Sequence, residues 1–193
     1  MKLLLSFSHV IDGVNRSIGV AVMYGVFVLM MILLWSTVSK TFFVPSLWTL
    51  EMAQFTMVAY YMLGGPYALL AGSNVRMDLF YGNWSLRRKA MVDVVTVIFL
   101  MFFLGVLLTG ALGSTAYSLG YWGVDYVQFF WGLIVGDNQV GRLERSSTAW
   151  QPYLWPIKVV MIIGIVLMLL QAVSELIKDL ARVTGYDLPE AQS

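Results

Sequence analysis

Apolar residues occur along this chain in four uncharged blocks, and every charged side chain lies before, between or after them. The blocks cover residues 17–39, 52–75, 94–124 and 159–174. A helix needs about 20 predominantly apolar residues to cross the roughly 30 Å hydrocarbon layer of a membrane. We therefore expect four transmembrane helices, at residues 17–39, 52–75, 94–117 and 155–177.

The amino-terminal arm, residues 1–16, has its apolar side chains on one helical face. They follow the i, i+3, i+4 spacing of a helix and are Leu3, Leu4, Phe7, Val10, Ile11 and Val14. This pattern predicts an amphipathic helix at the membrane surface, with a weak ion pair between Asp12 and Arg16, four residues apart. A signal peptide is the alternative, but its apolar core has about 7–15 residues, fewer than block 17–39, and no small-x-small cleavage site follows.

Residues 119–149 form a long connection between the third and fourth spans, rich in aromatic rings and glycines. The segment is too long for a plain turn, and aromatic rings favour the interface between membrane and water. We expect an insertion on the membrane surface that is partly helical near Val124–Ile134 and polar over 136–147.

The fourth span begins at Trp155 and Pro156, and proline suits the first turn of a helix. Lys158 and Glu175 lie near its two ends, from which their side chains can reach water. The polar tail that follows residue 177 is expected to fray.

Composition agrees with an all-α integral membrane protein that has one membrane domain, residues 1–193. Hydrophobic residues make up 59% of the chain and charged residues 12%, with a mean hydropathy of +0.77, whereas soluble domains have about 25% charged residues. Eight Lys and Arg residues lie in the arm, the central turn and the tail, against four elsewhere. We therefore expect both termini in the cytoplasm and residues 119–149 on the outer side. The net charge of +1 gives no support for a nucleic-acid partner.

Several chemistries are excluded by residues that the chain lacks. It has no cysteine and one histidine, His9 in the arm, so thiolate metal sites and a haem held by two histidines are excluded. The uncharged blocks hold none of the ionisable residues that mark an ion path, and no base for a buried nucleophile. We expect no enzyme, no metal site and no cofactor.

Two interpretations are open for Glu51, at the start of the second span. Thr49 can cap this helix and place Glu51 in its first turn, where a carboxylate meets the positive end of the helix dipole. Alternatively, Glu51 pairs with a partner at the membrane surface. Farther along, Pro66 cannot donate a hydrogen bond to Met62, so we expect a kink there.

Small residues recur at every fourth position on three of the predicted spans. The three stripes are Ser17, Ala21 and Gly25; Gly64, Ala68 and Gly72; and Gly105, Thr109 and Gly113. Such stripes let membrane helices approach closely. They can pack the bundle internally or receive a partner helix.

Two groups of residues resemble the small membrane subunit, of DctQ type, of tripartite ATP-independent periplasmic (TRAP) transporters. The first group is Trp48, Thr49, Glu51, Gly65, the turn Gly72-Ser73-Asn74-Val75-Arg76-Met77-Asp78, Arg87, Arg88 and Asp93. The second is similar to the branch labelled mannitol/chloroaromatic-compound transport and is Ser146, Ser147, Thr148, Trp150, Pro152, Trp155, Pro156, Ile157, Lys158 and Gln171. One departure is Asn74, where family members often have a histidine; an asparagine forms hydrogen bonds but does not titrate near neutral pH.

The resemblance implies a three-part uptake system in the bacterial inner membrane. A periplasmic solute-binding protein captures an organic acid, and a large DctM-type subunit carries it with sodium by an elevator motion. This chain would brace the large subunit and help to dock the binding protein, with no substrate, sodium or cofactor site of its own. The alternative is a free-standing homo-oligomeric transporter or channel, lined by Thr56, Thr96 and Thr109.

The candidate site residues are therefore contacts to partners and lipids. The candidates for a partner interface are Glu51, Gly64, Gly72, Asn74, Arg76, Asp78, Trp150, Pro152, Trp155 and Gln171. The candidates for anchoring to lipid headgroups are Arg87, Arg88 and Lys89. Simpler interpretations stay open, since Arg76 can be a cytoplasmic anchor, Asp78 a helix cap, and the tryptophans part of an aromatic belt.

Overall fold

The computed structural model describes residues 2–72, 86–137 and 139–184. Its helices are α1 (Lys2–Met23), α2 (Gly25–Phe42), α3 (Thr49–Leu70), α4 (Leu86–Ser118), α5 (Tyr126–Val135) and α6 (Trp155–Val183). Within these ranges no strand occurs, although an isolated antiparallel bridge joins Arg145 and Tyr153. The all-α fold class is confirmed.

Three helical stretches of the described residues are long and apolar enough to cross a membrane. They are Leu5–Phe42, Met91–Ser118 and Trp155–Ala181. Helix α3, in the region of the second predicted span, has 22 residues, about 33 Å at 1.5 Å per residue. It is not among these three stretches, and it contains Glu51, Gln54 and three tyrosines. Its role as a span therefore stays a prediction.

Helix limits differ from the sequence-based ones at both ends of the chain. Helix α1 continues without a break through residue 17, and the interruption falls at Tyr24, where Phe27 N donates to Tyr24 O at 3.1 Å. Helix α6 extends to Val183, so the prediction that the chain frays after residue 177 is wrong for residues 178–183. The side chains of Lys178 and Asp179 form contacts there, which holds the last turns in place.

The first two helices run antiparallel to α3. Val22 lies next to Gly64, and Tyr60 lies next to Gly25, where an added Cβ would be 3.5 Å from its ring. The first two stripes of small residues thus pack the bundle internally at these glycines. The third stripe does not, because Gly105 faces open space and Gly113 meets only the ring of Tyr126 on α5.

A close backbone contact joins α3 and α6 at a residue outside the predicted stripes. A Cβ added to Gly164 would lie 2.6 Å from the backbone carbonyl oxygen of Met62. That carbonyl is the one to which Pro66, lacking an N–H group, cannot donate. Helix α3 nevertheless continues through Pro66, which is buried. Next to this contact, Ile165 packs with Leu104 and Ala111 of α4 in the apolar core.

The predicted helix near Val124–Ile134 is present as α5. Its inner face is formed by Phe129, which is buried and stacks on Tyr121 with ring centroids 4.5 Å apart. The helix ends at Gly136, whose φ of 86° is left-handed, the usual conformation for a glycine that terminates a helix. The chain then returns over the end of α4 towards the start of α6.

Candidate functional site

Two groups of polar side chains lie at opposite ends of α6. The first is the α1–α6 seam, formed by Ser8, Asp12 and Asn15 of α1 and by Gln171, Ser174, Glu175 and Lys178 of α6. The second is the Glu144 cluster, formed by Glu144, Ser118 and Lys158. We describe the bundle end near the seam as the Leu70 end and the other as the Trp155 end.

The centre of the seam is buried and joined by direct hydrogen bonds. Asn15 Nδ2 donates to Gln171 Oε1 at 2.7 Å, and the hydroxyls of Ser8 and Ser174 are 2.5 Å apart. These four side chains are at most 2% exposed. Buried polar groups are costly without a partner, so each side chain depends on the opposite helix. Among the side-chain polar atoms of these four residues, Asn15 Oδ1 alone has no partner in the part of the chain described.

Asp12 receives three donors from α6. Its Oδ1 accepts from Gln171 Nε2 at 3.0 Å and from Ser174 Oγ at 2.9 Å, and its Oδ2 lies 2.7 Å from Lys178 Nζ. The predicted pair between Asp12 and Arg16 is wrong, because Asp12 is turned towards α6 and Arg16 is exposed.

Glu175 belongs to the seam too. Its Oε1 accepts from Gln171 Nε2 at 3.0 Å and from Lys178 Nζ at 2.9 Å. Glu175 is also 22% exposed, so it bonds within the seam at the border of the bundle. The Gln171 amide and the Lys178 ammonium each contact two carboxylates, that of Asp12 on α1 and that of Glu175 on α6.

The Glu144 cluster fastens the segment before α6 to the end of α4. Glu144 Oε2 lies 2.8 Å from Lys158 Nζ and 2.5 Å from Ser118 Oγ, and Lys158 also donates to Ser114 O at 3.1 Å. Lys158 therefore has a protein partner in addition to its partial exposure of 19%. These hydrogen bonds from Lys158 and Ser118 hold the pKa of the Glu144 carboxyl below its ordinary value of 4.5.

Backbone bonds reinforce the same attachment. Gly141 N donates to Leu119 O at 2.9 Å, and Glu144 N donates to Ser118 O at 3.0 Å. Gly120 has a left-handed φ of 85°, and a Cβ on it would lie 2.6 Å from the backbone N of Arg142. A glycine is required there, since a side chain would push the segment away from α4.

Glu51 lies in the first turn of α3, as predicted, but it is 3% exposed. Its Oε1 accepts from Ser146 Oγ at 3.2 Å, and its Oε2 has no partner in the part of the chain described. The prediction that Thr49 caps the helix is wrong, because Trp48 occupies that position without a capping bond and Thr49 bonds to Ser36 and Ser46. Glu51 therefore ties α3 to residue 146.

Ser146 also links Glu51 to the tryptophan-containing turn. Ser146 N donates to Pro152 O at 2.9 Å, so the structure brings Glu51 and Pro152 together through one residue. The rings of Trp150 and Trp155 are 41% and 38% exposed. Both can contact a lipid headgroup or a partner at the Trp155 end.

An open groove borders this turn. It is lined by Tyr117, Trp122, Arg142, Arg145 and Tyr153, among others. Arg145 is fixed there, since its Nη2 donates to Tyr153 Oη at 2.6 Å and its guanidinium lies 4.7 Å from the centre of that ring. No group of three His, Cys, Asp or Glu side chains that could hold a metal ion occurs among the described residues.

The remaining predicted residues are distributed over the chain. Gln171 is fully buried in the seam, so it is not open to a partner, and Gly72 has a left-handed φ of 62° in the turn after α3. Lys89 is half-buried and has a contact of its own. Asn74, Arg76 and Asp78, and the side chains of Arg87 and Arg88, lie outside the described residues.

The seam and the Glu144 cluster were missed in the sequence. A signal for the seam is present, because Ser8, Asp12 and Asn15 share one face of α1 at i, i+4 and i+7. Gln171, Ser174 and Lys178 repeat a similar spacing on α6. Two polar stripes of equal length on the first and last helices indicate a pairing that an inspection of charged residues alone does not show.

The sequence was also compared with known proteins. A family model described as "Tripartite ATP-independent periplasmic transporters, DctQ component" matches residues 29–182, well over half of the chain. The match includes α3, the Glu144 cluster and nearly all of α6, and it begins after α1. A search of curated proteins and a search of solved structures each gave no match.

Proposed function

Because the chain belongs to the DctQ family of TRAP transporter components, we propose that it is a static brace for the large membrane subunit of its transporter. It is a transmembrane small permease subunit, in a family that works with a DctM-type subunit and a binding protein. The family is a class of transporter components and not of enzymes.

The observation that carries this proposal is that α6 is fixed at both ends. The Asp12–Lys178 pair holds its carboxyl-terminal part to α1, and the Glu144–Lys158 pair holds its amino-terminal part to the segment over α4. Between them, Gly164 brings its backbone onto Met62 of α3. A brace must stay rigid while a neighbouring subunit moves, and packed interfaces of this kind resist continuous deformation.

The surface left by this packing suits a partner in the membrane. Large apolar side chains point outwards along α2 and α4, among them Phe27, Met31, Phe99 and Phe102. Within a membrane, helices associate through packing and not through burial from water. The proposal assigns part of this surface to the large subunit and the rest to lipid.

The proposal includes the topology and the transport chemistry. Four spans cross the bacterial inner membrane, α1 begins as an interfacial arm, and both termini are cytoplasmic. Sodium-driven uptake of an organic acid takes place in the large subunit, and this chain needs no cofactor. The mannitol/chloroaromatic branch is proposed from the residues between Ser146 and Gln171 that resemble it.

The candidate contacts divide between the two membrane surfaces. At the outer surface, Trp150, Pro152 and Trp155 help to dock the binding protein, and Glu51 supports them through Ser146. At the cytoplasmic surface, Asn74, Arg76 and Asp78 contact the large subunit, while Arg87, Arg88 and Lys89 bind lipid headgroups.

Purification from native membranes in mild detergent tests the proposal. A chain tagged at its carboxyl end is expected to carry a large polytopic protein in equal amount, identified by mass spectrometry. Liposomes with this chain alone should show no organic-acid uptake, whereas liposomes with both subunits and the binding protein should show sodium-dependent uptake. If this chain purifies as a homo-oligomer and supports flux by itself, the brace proposal fails and the channel alternative holds.

A further inference from the structure

The open groove beside the tryptophan-containing turn is both basic and aromatic. It has a volume of about 820 Å³. Two exposed arginines and three aromatic rings line it, namely Arg142, Arg145, Tyr117, Trp122 and Tyr153. Neither arginine forms an ion pair within the described residues, whereas Glu144, an acid in the same lining, is paired with Lys158. The groove therefore holds two positive charges that the described part of the chain does not neutralise.

Arg145 is held in place before any ligand arrives. Its Nη2 donates to Tyr153 Oη at 2.6 Å, its guanidinium lies 4.7 Å from the centre of the Tyr153 ring, and an isolated backbone bridge joins the same two residues. A guanidinium has five N–H donors in a rigid fork that matches a carboxylate. The contact with Tyr153 uses one of them and leaves others for an external acceptor. Because the side chain is already ordered, binding costs little conformational entropy.

The edge of the groove is formed by a turn of fixed shape. Gln151 has a left-handed φ of 49°, which is uncommon for a residue other than glycine. Two backbone hydrogen bonds hold this conformation, from Gln151 N to Thr148 O at 3.2 Å and from Ser146 N to Pro152 O at 2.9 Å. Strained backbone of this kind persists where the surroundings impose it and is common at ligand sites. Arg145 and this turn thus give the groove its shape in the absence of a partner.

The groove lies outside the hydrocarbon layer in the proposed topology. About 20 residues counted from Val94, where the third uncharged block begins, cross the layer and end near Gly113. Tyr117 is one turn, about 6 Å, farther along α4, and the segment with both arginines packs over that end, where Glu144 N donates to Ser118 O. Headgroups add roughly 5–7 Å on each side of the hydrocarbon. The arginines therefore lie at or beyond the outer edge of the headgroups, on the periplasmic side.

We propose that the groove is a carboxylate-binding pocket that receives an acidic surface loop of the periplasmic binding protein. An Asp or Glu side chain of the loop forms a bidentate pair with Arg145, and Arg142 adds a second positive charge. The rings of Tyr117 and Trp122, with centroids 5.0 Å apart, cover the apolar part of the loop. Trp122 is 79% exposed and loses this exposure on docking. The pocket presupposes the proposed docking role of this chain and adds the charge of the surface that docks.

An open groove favours a carboxylate on a protein over a free organic acid. Exposed ion pairs in water contribute little, because both charges stay hydrated and mobile. A protein surface that closes over the groove excludes water from the pair, and complementary patches of charge also speed the encounter. A free acid lacks this surrounding surface. The other occupants are a lipid phosphate and a second copy of this chain, which carries the exposed acids Asp125 and Asp137.

The inference is tested by measuring how tightly the binding protein of the same transporter binds to the two membrane subunits in nanodiscs. Arg145→Gln should raise the Kd about tenfold, since it removes one partner of a desolvated charge pair, and Arg142→Gln should raise it by less. Lys40→Gln, an exposed change of the same charge at the same end of the bundle, is the matched control and should stay within about twofold. Added salt should weaken binding to the unmodified complex more than binding to Arg145→Gln.

A charge exchange identifies the acidic loop. Arg145→Glu should remove most of the binding by the unmodified binding protein, because two carboxylates then face each other. Surface Asp and Glu residues of the binding protein are next changed to Lys, one at a time. One of these variants should recover binding to Arg145→Glu. If no single variant does so, a carboxylate in the groove is contradicted.

The variants separate a wrong pocket from a wrong docking role. If Trp150→Ala weakens docking and neither arginine variant does, docking by this chain stands and the carboxylate pocket is wrong. If none of the three variants weakens docking while the large subunit still copurifies, the pocket and the docking role both fail and the brace stands.

Three further results assign the groove to another occupant and overturn the inference. An effect of Arg145→Gln that occurs only in nanodiscs with phosphatidylglycerol, and not with phosphatidylcholine, assigns it to a lipid phosphate. A loss of paired copies in Arg145→Gln, measured as a halved mass of the membrane complex, assigns it to a second copy. Saturable binding of free succinate to the membrane complex, measured by calorimetry and abolished by Arg145→Gln, assigns it to a small acid.

Discussion

The α1–α6 seam and the Glu144 cluster, which hold the two ends of α6, differ in whether water can replace a hydrogen bond that is lost. At the Leu70 end, the centre of the seam consists of buried side chains from two helices, so a side chain that loses its partner stays unpaired. At the Trp155 end, Lys158 and Glu144 are 19% and 29% exposed, and backbone hydrogen bonds also hold the segment to α4. Water can replace a lost bond there. The loss of one hydrogen bond should therefore lower the free energy of unfolding more in the seam than in the Glu144 cluster.

The largest effect is expected from Gln171→Leu. This change keeps the volume but leaves Asn15 without a hydrogen bond and removes one donor from Asp12. An unpaired buried group costs about 1–3 kcal/mol, so we expect a loss of about 2 kcal/mol in the free energy of unfolding. Unfolding in detergent micelles measures it. Ile163→Leu, on the exposed side of the same helix, should be close to neutral, and equal losses in both variants would contradict the seam.

A smaller effect is expected from Glu144→Gln, which removes the charge and keeps the shape. Partly exposed pairs contribute up to about 1 kcal/mol, so global unfolding should change little. The segment from Gly136 to Leu154 should open more often, raising its rate of proteolysis roughly fivefold. Asp137→Asn, an exposed change in the same segment, is the matched control. Identical proteolysis of the two variants would show that Glu144 does not hold the segment.

Acid should weaken the attachment that the Glu144 cluster provides. The pKa of Glu144 is lowered in the folded state, so its contribution is complete above the ordinary value of 4.5. That contribution is lost as the pH falls below 4.5 and through the folded-state pKa. The difference in proteolysis between the unmodified chain and Glu144→Gln should therefore shrink over this range. A difference that is constant from pH 7 to pH 3 would show that another group is responsible.

The smallest effect, none, is expected when the seam is locked covalently. Ser8→Cys with Ser174→Cys places two thiols where the hydroxyls are 2.5 Å apart, close enough for a disulfide after minor adjustment. A static brace predicts that oxidation changes uptake by the complete transporter by less than about twofold. Each single cysteine variant, oxidised in the same way, is the control. A reversible loss of uptake in the double variant alone would show that α1 must move against α6.

Much of the fold could be predicted because uncharged blocks and helix signals are local. The third and fourth spans, the short helix α5 and the place of Glu51 in the first turn of α3 all follow from residues near one another in the chain. The DctQ resemblance carried by residues such as Trp48 and Trp155 is confirmed at the level of the family.

The two polar stripes indicate that α1 and α6 pair, but the individual polar contacts could not be predicted because their partners are distant in sequence. Asp12 had a local partner at Arg16 and a distant one at Lys178, and only packing decides between them. For Lys158 the sequence suggests water as the partner, because its pairing with Glu144 depends on how the segment carrying Glu144 packs over α4. Searching for charges within the spans also overlooks Ser, Asn and Gln, which make up the buried centre of the seam.

The separation of the seam partners has a consequence for biogenesis. Asn15 and Gln171 are 156 residues apart, which takes about 8–30 s to synthesise at ribosomal rates of 5–20 residues per second. Throughout that interval the polar face of the first helix has no partner, so water or lipid headgroups must satisfy it at the membrane surface. Only completion of the last helix allows it to close. In a nascent chain that stops before residue 171, the polar face of the first helix stays without its partner. An exposed polar face therefore distinguishes unfinished copies from finished ones.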